Sequence, residues 1–224
     1  KDIYNRIAAH FSDTRREVWN TFVPLAEYAK SGDRILDLGC GNGRLYQLFE
    51  KDKEKKLTYV GVDFSEELLK SAHERHPSIE FRLGDLREIP AQNEEFDIVY
   101  CLAAFHHLPT DEDRARSLRE VARVLKSGGY FIMTNWNLYA DWAKQKVAAG
   151  EYKIGEKSDE YIVPWKNPEG KVMGDRYYYS FTPEQLEHYL GEAGFMVEKQ
   201  YYDKAWWAKS EKDGQNIVTI TKKG

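Results

Sequence analysis

The sequence has little of what membrane, disulfide-rich or metal-binding proteins need. Its two cysteines, Cys40 and Cys101, lie far apart and match no metal-ligand spacing, so we expect reduced thiols in a cytoplasmic protein and no metal. The longest apolar run, Ile98 to Phe105, is far shorter than the roughly 20 residues that cross a bilayer. A formal charge of −4 gives no overall field that would attract a polyanion. Any nucleic-acid contact would need a local basic patch.

What is present indicates a packed α/β domain. The chain has 224 residues, of which 42% are hydrophobic and 14% aromatic, which suits one large core. Apolar runs of strand length alternate with helical patterns, which is typical of βαβ units. The sequence therefore predicts a Rossmann-like, doubly wound, mainly parallel sheet of seven strands with an antiparallel C-terminal hairpin. The predicted strands are 34–38, 58–63, 80–83, 96–102, 130–135, 196–203 and 216–223, and the predicted helices are 44–51, 65–75, 111–125 and one that Thr182 caps.

We interpret residues 1–224 as a single domain with four parts. An N-terminal helical segment covers residues 1–30, with a break near Ser12, and a cofactor-binding core covers 34–135. An irregular lid insertion, 136–181, is expected to roof the carboxyl edge of the sheet, where ligands bind in such folds. The C-terminal helix and antiparallel strands cover 182–224. Trp206 and Trp207 are expected at a sheet edge, and the charge run 51–56 at a solvated helix end.

A glycine loop, "DLGCGNGR", follows the first predicted strand. Gly39, Gly41 and Gly43 follow G-x-G-x-G, and Arg44 stands where a dinucleotide fold needs its third glycine. Asp37 precedes the loop, and its negative charge would oppose a pyrophosphate but suit a cation. S-adenosylmethionine carries a sulfonium and an ammonium. The loop therefore favours a methyl donor over a dinucleotide.

Two more aspartates follow the next two strands. Asp63 is placed to accept hydrogen bonds from ribose hydroxyls, and Asp85 can accept from an adenine amino group. Each aspartate alone is more often a turn former or a helix cap. Three carboxylates at successive strand ends, together with the glycine loop, predict one row that faces a ligand.

These residues carry a resemblance. The runs "LDLGCGNG", "GVDFS", "GDLREIP", "FDIVYCLAAFHHL" and "VARVLKSGGYFIM" resemble the successive motifs of class I S-adenosylmethionine-dependent methyltransferases. The resemblance implies this fold and S-adenosylmethionine as cofactor. The cofactor-binding residues it implies are Asp37, Gly39, Cys40, Gly41, Gly43, Asp63, Phe64, Asp85, Leu86, Cys101 and Ala103.

A narrower resemblance comes from outside the core. The runs "IYNRIAAHFSDTR", "HHL", "IVPW" and "DRYYYSFTPEQLE" are similar to segments of the tRNA wobble-uridine methyltransferases that esterify 5-carboxymethyluridine. This similarity implies tRNA as substrate, and a small zinc-binding activator subunit accompanies the eukaryotic family members. The acceptor-binding residues we associate with it are Tyr4, His10, Arg15, Trp165, Arg176 and Tyr178.

Four residues are candidates for the chemistry itself. His106 and His107 follow the fourth strand, where one could orient the acceptor or act as a base, and the alternative is that one caps a helix and the other packs. Arg15 and Arg176 could grip a carboxylate or phosphate, although a lone arginine is more often a solvated surface residue. An ionised carboxylate acceptor would need no base.

Other functions stay open at this point. The first is a small-molecule carboxyl, O- or N-methyltransferase, which would be favoured if Arg15, Arg176, Lys166 and Lys171 did not converge at the pocket mouth. The second is a non-catalytic domain that binds the cofactor or activates a partner. The third is a nicotinamide oxidoreductase.

Overall fold

A seven-stranded sheet forms the centre of the computed structural model, which describes residues 2–50, 55–203 and 210–224. Its strand order is β3-β2-β1-β4-β5-β10-β9, and the last strand in sequence, β10, runs antiparallel to both of its neighbours. A second, three-stranded sheet has the order β6-β7-β8. In the described residues the strands are β1 (Arg34–Leu38), β2 (Thr58–Asp63), β3 (Glu80–Leu83), β4 (Phe96–Leu102), β5 (Leu125–Trp136), β6 (Lys153–Ile154), β7 (Glu160–Lys166), β8 (Val172–Tyr179), β9 (Phe195–Asp203) and β10 (Asn216–Lys223).

Helices cover both faces of the large sheet because its central strands are apolar on both sides. In β1, Leu36 contributes to the core under α4 and α6, while Ile35 points to the opposite face and packs with α3 and the N-terminal 3-10 helix. The helices are α1 (Asp2–Thr14), α2 (Gln47–Glu50), α3 (Glu66–Arg75), α4 (Asp111–Val124), α5 (Asp141–Ala148) and α6 (Pro183–Glu192), and the N-terminal 3-10 helix is Asn20–Tyr28.

The predicted fold class is confirmed, and most element boundaries lie within a few residues of the prediction. The first four strands match residue for residue, and α3 begins after Ser65, whose hydroxyl accepts from the Leu68 backbone N–H. The antiparallel pairing of the last two strands is also as predicted, with a turn at Asp213 and Gly214. Trp206 and Trp207 lie outside the described residues, as does most of the charge run at 51–56.

Four details of the prediction are wrong. The segment 136–181 is not irregular, because it contains α5 and the small sheet, which has its own core of Leu138, Ala143, Tyr161, Val163 and Tyr178. Helix α1 continues past Ser12 to Thr14, whose hydroxyl bonds back to the His10 carbonyl. The helix predicted from Arg44 begins as a 3-10 turn, and β5 begins five residues earlier than expected, at Leu125.

The capping box of α6 gives a test of this helix. Thr182 Oγ1 accepts from the Gln185 N–H at 3.2 Å, and Gln185 Oε1 accepts from the Thr182 N–H at 2.9 Å. We expect Thr182→Ala to lower the free energy of unfolding by about 1 kcal/mol, since one helix N–H loses its partner. Urea denaturation measures the loss. Thr182→Ser should stay near the parent value, and an unchanged midpoint in Thr182→Ala would contradict the role of the cap.

Candidate functional site

One cavity of about 670 Å³ opens at the carboxyl ends of the central strands. Its floor comes from the loops after β1, β2, β3 and β4, the first of which is the glycine loop, and its walls come from α1 and β8. Helix α1 packs on α3 and β8, which places its residues across the cavity from the floor. The site therefore joins the N-terminal helix, the core and the small sheet.

Asp63 holds the glycine loop in place. One carboxylate oxygen accepts from the Gly41 N–H at 2.9 Å, and the other accepts from the Ser65 N–H at 2.9 Å. Gly41 has a φ of +55° and Gly39 a φ of +78°, a backbone region that residues with a Cβ rarely adopt. A Cβ on Gly39 would also lie 2.5 Å from the Ala104 Cβ. The loop geometry thus requires both the glycines and the aspartate.

Asp37 is a buried carboxylate at the cavity floor, and the Tyr59 hydroxyl donates to it. Burial raises the pKa of Asp37 to about 7 and that of Asp63 to about 6. Within the described residues neither carboxylate has an ion pair within 4.0 Å, so the floor holds negative charge that a cation would compensate. A ligand with a sulfonium and an ammonium fits this floor.

Asp85 lies at the other end of the floor, after β3. Arg87 binds it with two side-chain hydrogen bonds, from Nε to Oδ1 at 2.7 Å and from a terminal nitrogen to Oδ2 at 2.8 Å. These bonds lower the pKa of Asp85, which therefore stays ionised. Both residues line the cavity.

Most of the predicted cofactor-binding residues line this cavity. Ala103 is notable among them because its φ is +58°, while its N–H donates to the Thr134 carbonyl and hydroxyl. Gly43 and Cys101 do not line it: Gly43 lies against the Phe81 and Ala72 side chains, and Cys101 packs in the core. The cavity-lining candidates are Asp37, Gly39, Cys40, Gly41, Asp63, Phe64, Asp85, Leu86 and Ala103.

The two histidines differ in position. His107 lines the cavity, and its Nδ1 donates to the Tyr177 carbonyl at 2.7 Å, so its Nε2 accepts from the Tyr4 hydroxyl at 2.8 Å. His106 is fully buried behind the wall, where its Nδ1 accepts from the Trp136 N–H at 3.2 Å and its ring stacks on Tyr178. Burial lowers the pKa of His107 to about 4 and that of His106 well below its usual range. Both rings are therefore neutral at pH 7.

Arg15 and Arg176 come together around Trp165. Their guanidinium carbons lie 5.1 Å and 4.8 Å from the Trp165 ring centroid. Arg176 is 7% exposed, and its Nε has no hydrogen-bond partner within the described part of the chain. Both arginines line the cavity, whereas Trp165 stands behind them, where its indole N–H donates to His10. The arrangement is a cationic corner with room for an anion.

Sequence reasoning missed Arg44 as a site residue. Its guanidinium lies 4.1 Å from the Trp19 ring centroid, and it lines the cavity next to the glycine loop. Burial lowers the pKa of Arg44 to about 10. Its position directly after the last loop glycine is the only sequence signal that could have suggested the role. Trp136 and Phe11 also line the cavity; Phe11 belongs to the run "IYNRIAAHFSDTR" but is not among the predicted site residues, and none of the quoted runs contains Trp136.

Comparison with known proteins shows the family to which the chain belongs. Residues 36–133 match the sequence profile of a family described as methyltransferase domain. A protein of Encephalitozoon cuniculi that is named as a methyltransferase is 32% identical to 87% of this chain, which covers 85% of that protein. The chain belongs to the class I S-adenosylmethionine-dependent methyltransferases, and S-adenosylmethionine is its cofactor.

Two further relatives carry a more specific name, tRNA (carboxymethyluridine(34)-5-O)-methyltransferase. The one from Schizosaccharomyces pombe is 26% identical to 94% of this chain, which covers 95% of that protein. The one from Arabidopsis thaliana is 31% identical to 78% of the chain. The chain spans only 40% of the length of the Arabidopsis protein and 21% of that of a mouse relative.

Solved structures share the fold. An S-adenosylmethionine-dependent methyltransferase from Methanosarcina mazei has a TM-score of 0.71, with 20% identity over 89% of this chain and 96% of that one. A Haloferax volcanii methyltransferase, solved as a complex with the Trm112 methyltransferase activator, has a TM-score of 0.64, with 17% identity over 98% of this chain and 96% of that one. No helix in the described residues is long and apolar enough to span a membrane.

The raised pKa values of the floor predict pH-dependent ligand binding. Because Asp37 has a pKa of about 7, it is mainly protonated at pH 6 and mainly ionised at pH 8. A cationic ligand binds the ionised form, so the affinity for S-adenosylhomocysteine, which keeps the ammonium, should rise about tenfold from pH 6 to pH 8. Isothermal titration calorimetry at both pH values measures the change.

Asp37→Asn serves as the control. It should bind S-adenosylhomocysteine weakly and lose most of this pH dependence, because the asparagine amide does not titrate. Equal affinities of the parent protein at the two pH values would contradict the role of the Asp37 carboxylate in binding a cationic ligand.

Proposed function

We propose that this methyltransferase esterifies a carboxylate, that of 5-carboxymethyluridine at the wobble position of tRNA. One observation carries the choice of acceptor: the cationic corner formed by Arg15 and Arg176 lies at the wall of the same cavity as the cofactor floor. The names of the relatives from fission yeast and Arabidopsis support the nucleoside.

The cationic corner suits a planar anion. A guanidinium can bind a carboxylate with two parallel hydrogen bonds, and Arg176 is buried without a carboxylate partner in the described residues. A buried cation without a counter-ion is costly, and an acceptor carboxylate would remove that cost on binding. The Arg176 guanidinium carbon lies 5.2 Å from the centroid of the Tyr178 ring, which lines the cavity, whereas the Trp165 ring packs against both arginines from behind.

The histidines argue in the same direction. The protonated Nδ1 of His107 donates a hydrogen bond to the Tyr177 carbonyl, and Nε2 already accepts a hydrogen bond from the Tyr4 hydroxyl. With a pKa of about 4, His107 is a weak base, and His106 does not line the cavity. An amine or hydroxyl acceptor would need a base, whereas a carboxylate is already ionised at pH 7.

Positioning is then the main task of the protein. S-adenosylmethionine supplies a methyl group on a sulfonium, which an ionised oxygen can take by in-line displacement. Asp63 and the glycine loop fix one side of the cavity, and Arg15 and Arg176 orient the oxygen on the other. Helix α1 and β8 line the space between, and keeping water out of it would favour the transfer.

The same proposal includes the lid, the partner and the location. The small sheet acts as the lid of the single domain, and a small activator protein binds the enzyme, as one does in the Haloferax complex. Cys40 and Cys101 are buried and unpaired, which suits a cytoplasmic location.

A small carboxylic acid is the second candidate acceptor. Lys166 and Lys171 flank the turn between β7 and β8, are exposed and do not line the cavity. The two arginines thus converge at the cavity and the two lysines do not. A polynucleotide would therefore meet fewer cationic side chains there than if all four residues converged.

Mass spectrometry of tRNA nucleosides decides between the two. We expect tRNA that carries 5-carboxymethyluridine to gain one methyl group on incubation with the protein and S-adenosylmethionine, with and without a Trm112-type activator. Transfer to small carboxylic acids alone would favour the second candidate. Absence of transfer to every tRNA pool, with and without activator, would overturn the tRNA proposal.

Arg176 gives the mutational test. Arg176→Met should lower kcat/KM for the carboxylate acceptor by roughly 10- to 100-fold, because a charge-assisted hydrogen-bonded pair is lost. S-adenosylhomocysteine should bind with unchanged affinity. Arg119→Met is the matched control, since Arg119 is exposed on α4 and pairs only with Glu112 among the described residues. An unchanged kcat/KM in Arg176→Met would exclude the arginine from the acceptor site.

A further inference from the structure

Among the arginines that line the cavity in the described part of the chain, Arg87 alone has its side chain bound to a carboxylate that also lines the cavity. It stands two residues after Asp85 and binds both of its carboxylate oxygens. A third hydrogen bond comes from the Arg87 backbone N–H to Asp85 Oδ1 at 2.9 Å. Three donors of a single residue therefore fix the orientation of the Asp85 carboxylate.

The remaining capacity of this carboxylate can be counted. Each oxygen offers two lone-pair positions in the carboxylate plane. Oδ1 accepts from the Arg87 backbone N–H and from its Nε, so both of its positions are filled. Oδ2 accepts from one terminal nitrogen of Arg87, so one position stays open. Asp85 can accept a single strong hydrogen bond from a ligand, at Oδ2.

A second carboxylate holds Arg87 in turn. Its other terminal nitrogen donates to Asp113 Oδ1 at 2.9 Å, and Asp113 lies in the first turn of α4. Asp113 Oδ2 accepts from the hydroxyl of Thr110, the N-cap residue of that helix, at 2.8 Å. The guanidinium is thus fixed between the loop after β3 and the start of α4.

We propose that Arg87 is a positioning residue for adenine recognition: bound to Asp113, it aims the open position of Asp85 Oδ2 at the exocyclic amine of the adenine ring. The inference rests on the proposed function only in that S-adenosylmethionine or its product occupies the cavity. It makes Arg87 responsible for discrimination between a 6-amino purine and a 6-oxo purine. The 6-amino group can donate to Asp85 Oδ2, whereas a 6-oxo oxygen is itself an acceptor and would face Oδ2 without a proton between them.

The test compares two ligands by isothermal titration calorimetry, S-adenosylhomocysteine and S-inosylhomocysteine, in which the amine is replaced by a carbonyl. We expect the parent protein to prefer the adenine form by at least roughly tenfold, the value of one hydrogen bond to a charged group. Arg87→Met should reduce this preference to within about threefold, mainly by weakening the adenine form. Arg87→Lys should restore part of it, and Asp85→Asn should abolish it.

Arg116→Met is the matched control for Arg87→Met. Arg116 Nε donates to the Arg87 carbonyl at 2.8 Å, and its terminal nitrogen approaches Glu88 at 3.4 Å, so it ties down the same loop without touching the Asp85 carboxylate. Its removal should leave the preference between the two ligands unchanged. Thermal unfolding of every variant identifies any that fails to fold.

The outcomes are separable. Equal loss of both ligands in Arg87→Met would make Arg87 a structural residue and overturn the inference. A parent preference that survives in Arg87→Met but is lost in Asp85→Asn would leave adenine recognition to Asp85 alone, which also overturns it. Failure of the parent protein to bind S-adenosylhomocysteine at all would instead contradict its place in the methyltransferase family.

Discussion

The Asp63 carboxylate is the interaction on which the rest of the site depends. It accepts from the Gly41 N–H on the loop after β1 and from the Ser65 N–H at the start of α3. These two bonds join the ends of neighbouring strands and give the glycine loop its shape. The Gly39 and Cys40 N–H groups also donate to the Val62 carbonyl, so β2 and the Asp63 carboxylate together hold the loop in its left-handed conformation. The bond from Gly41 to Asp63 thus fixes the loop between Asp37 and the 3-10 turn that begins at Arg44.

The cavity has two electrostatic halves. The floor is anionic, with the buried carboxylates of Asp37 and Asp63, and the roof corner is cationic, with Arg15 and Arg176 around Trp165. Among the described residues, neither the two carboxylates nor the two arginines form an ion pair within 4.0 Å, and unpaired charge is costly in a buried site. A cationic donor and an anionic acceptor would satisfy both halves at once. With the proposed acceptor, the charges that bind the two reactants would also align them for transfer.

Hydrogen bonds across the cavity connect parts that are distant in sequence. His107 accepts a hydrogen bond from the Tyr4 hydroxyl of α1 and donates one to the Tyr177 carbonyl of β8. The indole N–H of Trp165 donates to His10. These bonds tie the N-terminal helix to the small sheet over the floor. The alternative in which a histidine only packs in the fold applies to His106, which lies behind the wall. His107 organises the wall, and nothing in its bonding leaves a nitrogen free to act as a base.

The sequence by itself determined the fold class, the glycine loop, the aspartate row and the methyl donor, because these follow from local patterns: strand-length apolar runs, glycines at alternate positions and carboxylates at strand ends. It also indicated Arg15 and Arg176 as candidates. Only the tertiary structure decided that these arginines meet at one tryptophan, that His107 and not His106 lines the cavity, and that Arg87 occupies three of the four acceptor positions of Asp85. Long-range contacts among α1, β8 and α4 create those relations, and sequence periodicity carries no information about which distant residues will touch.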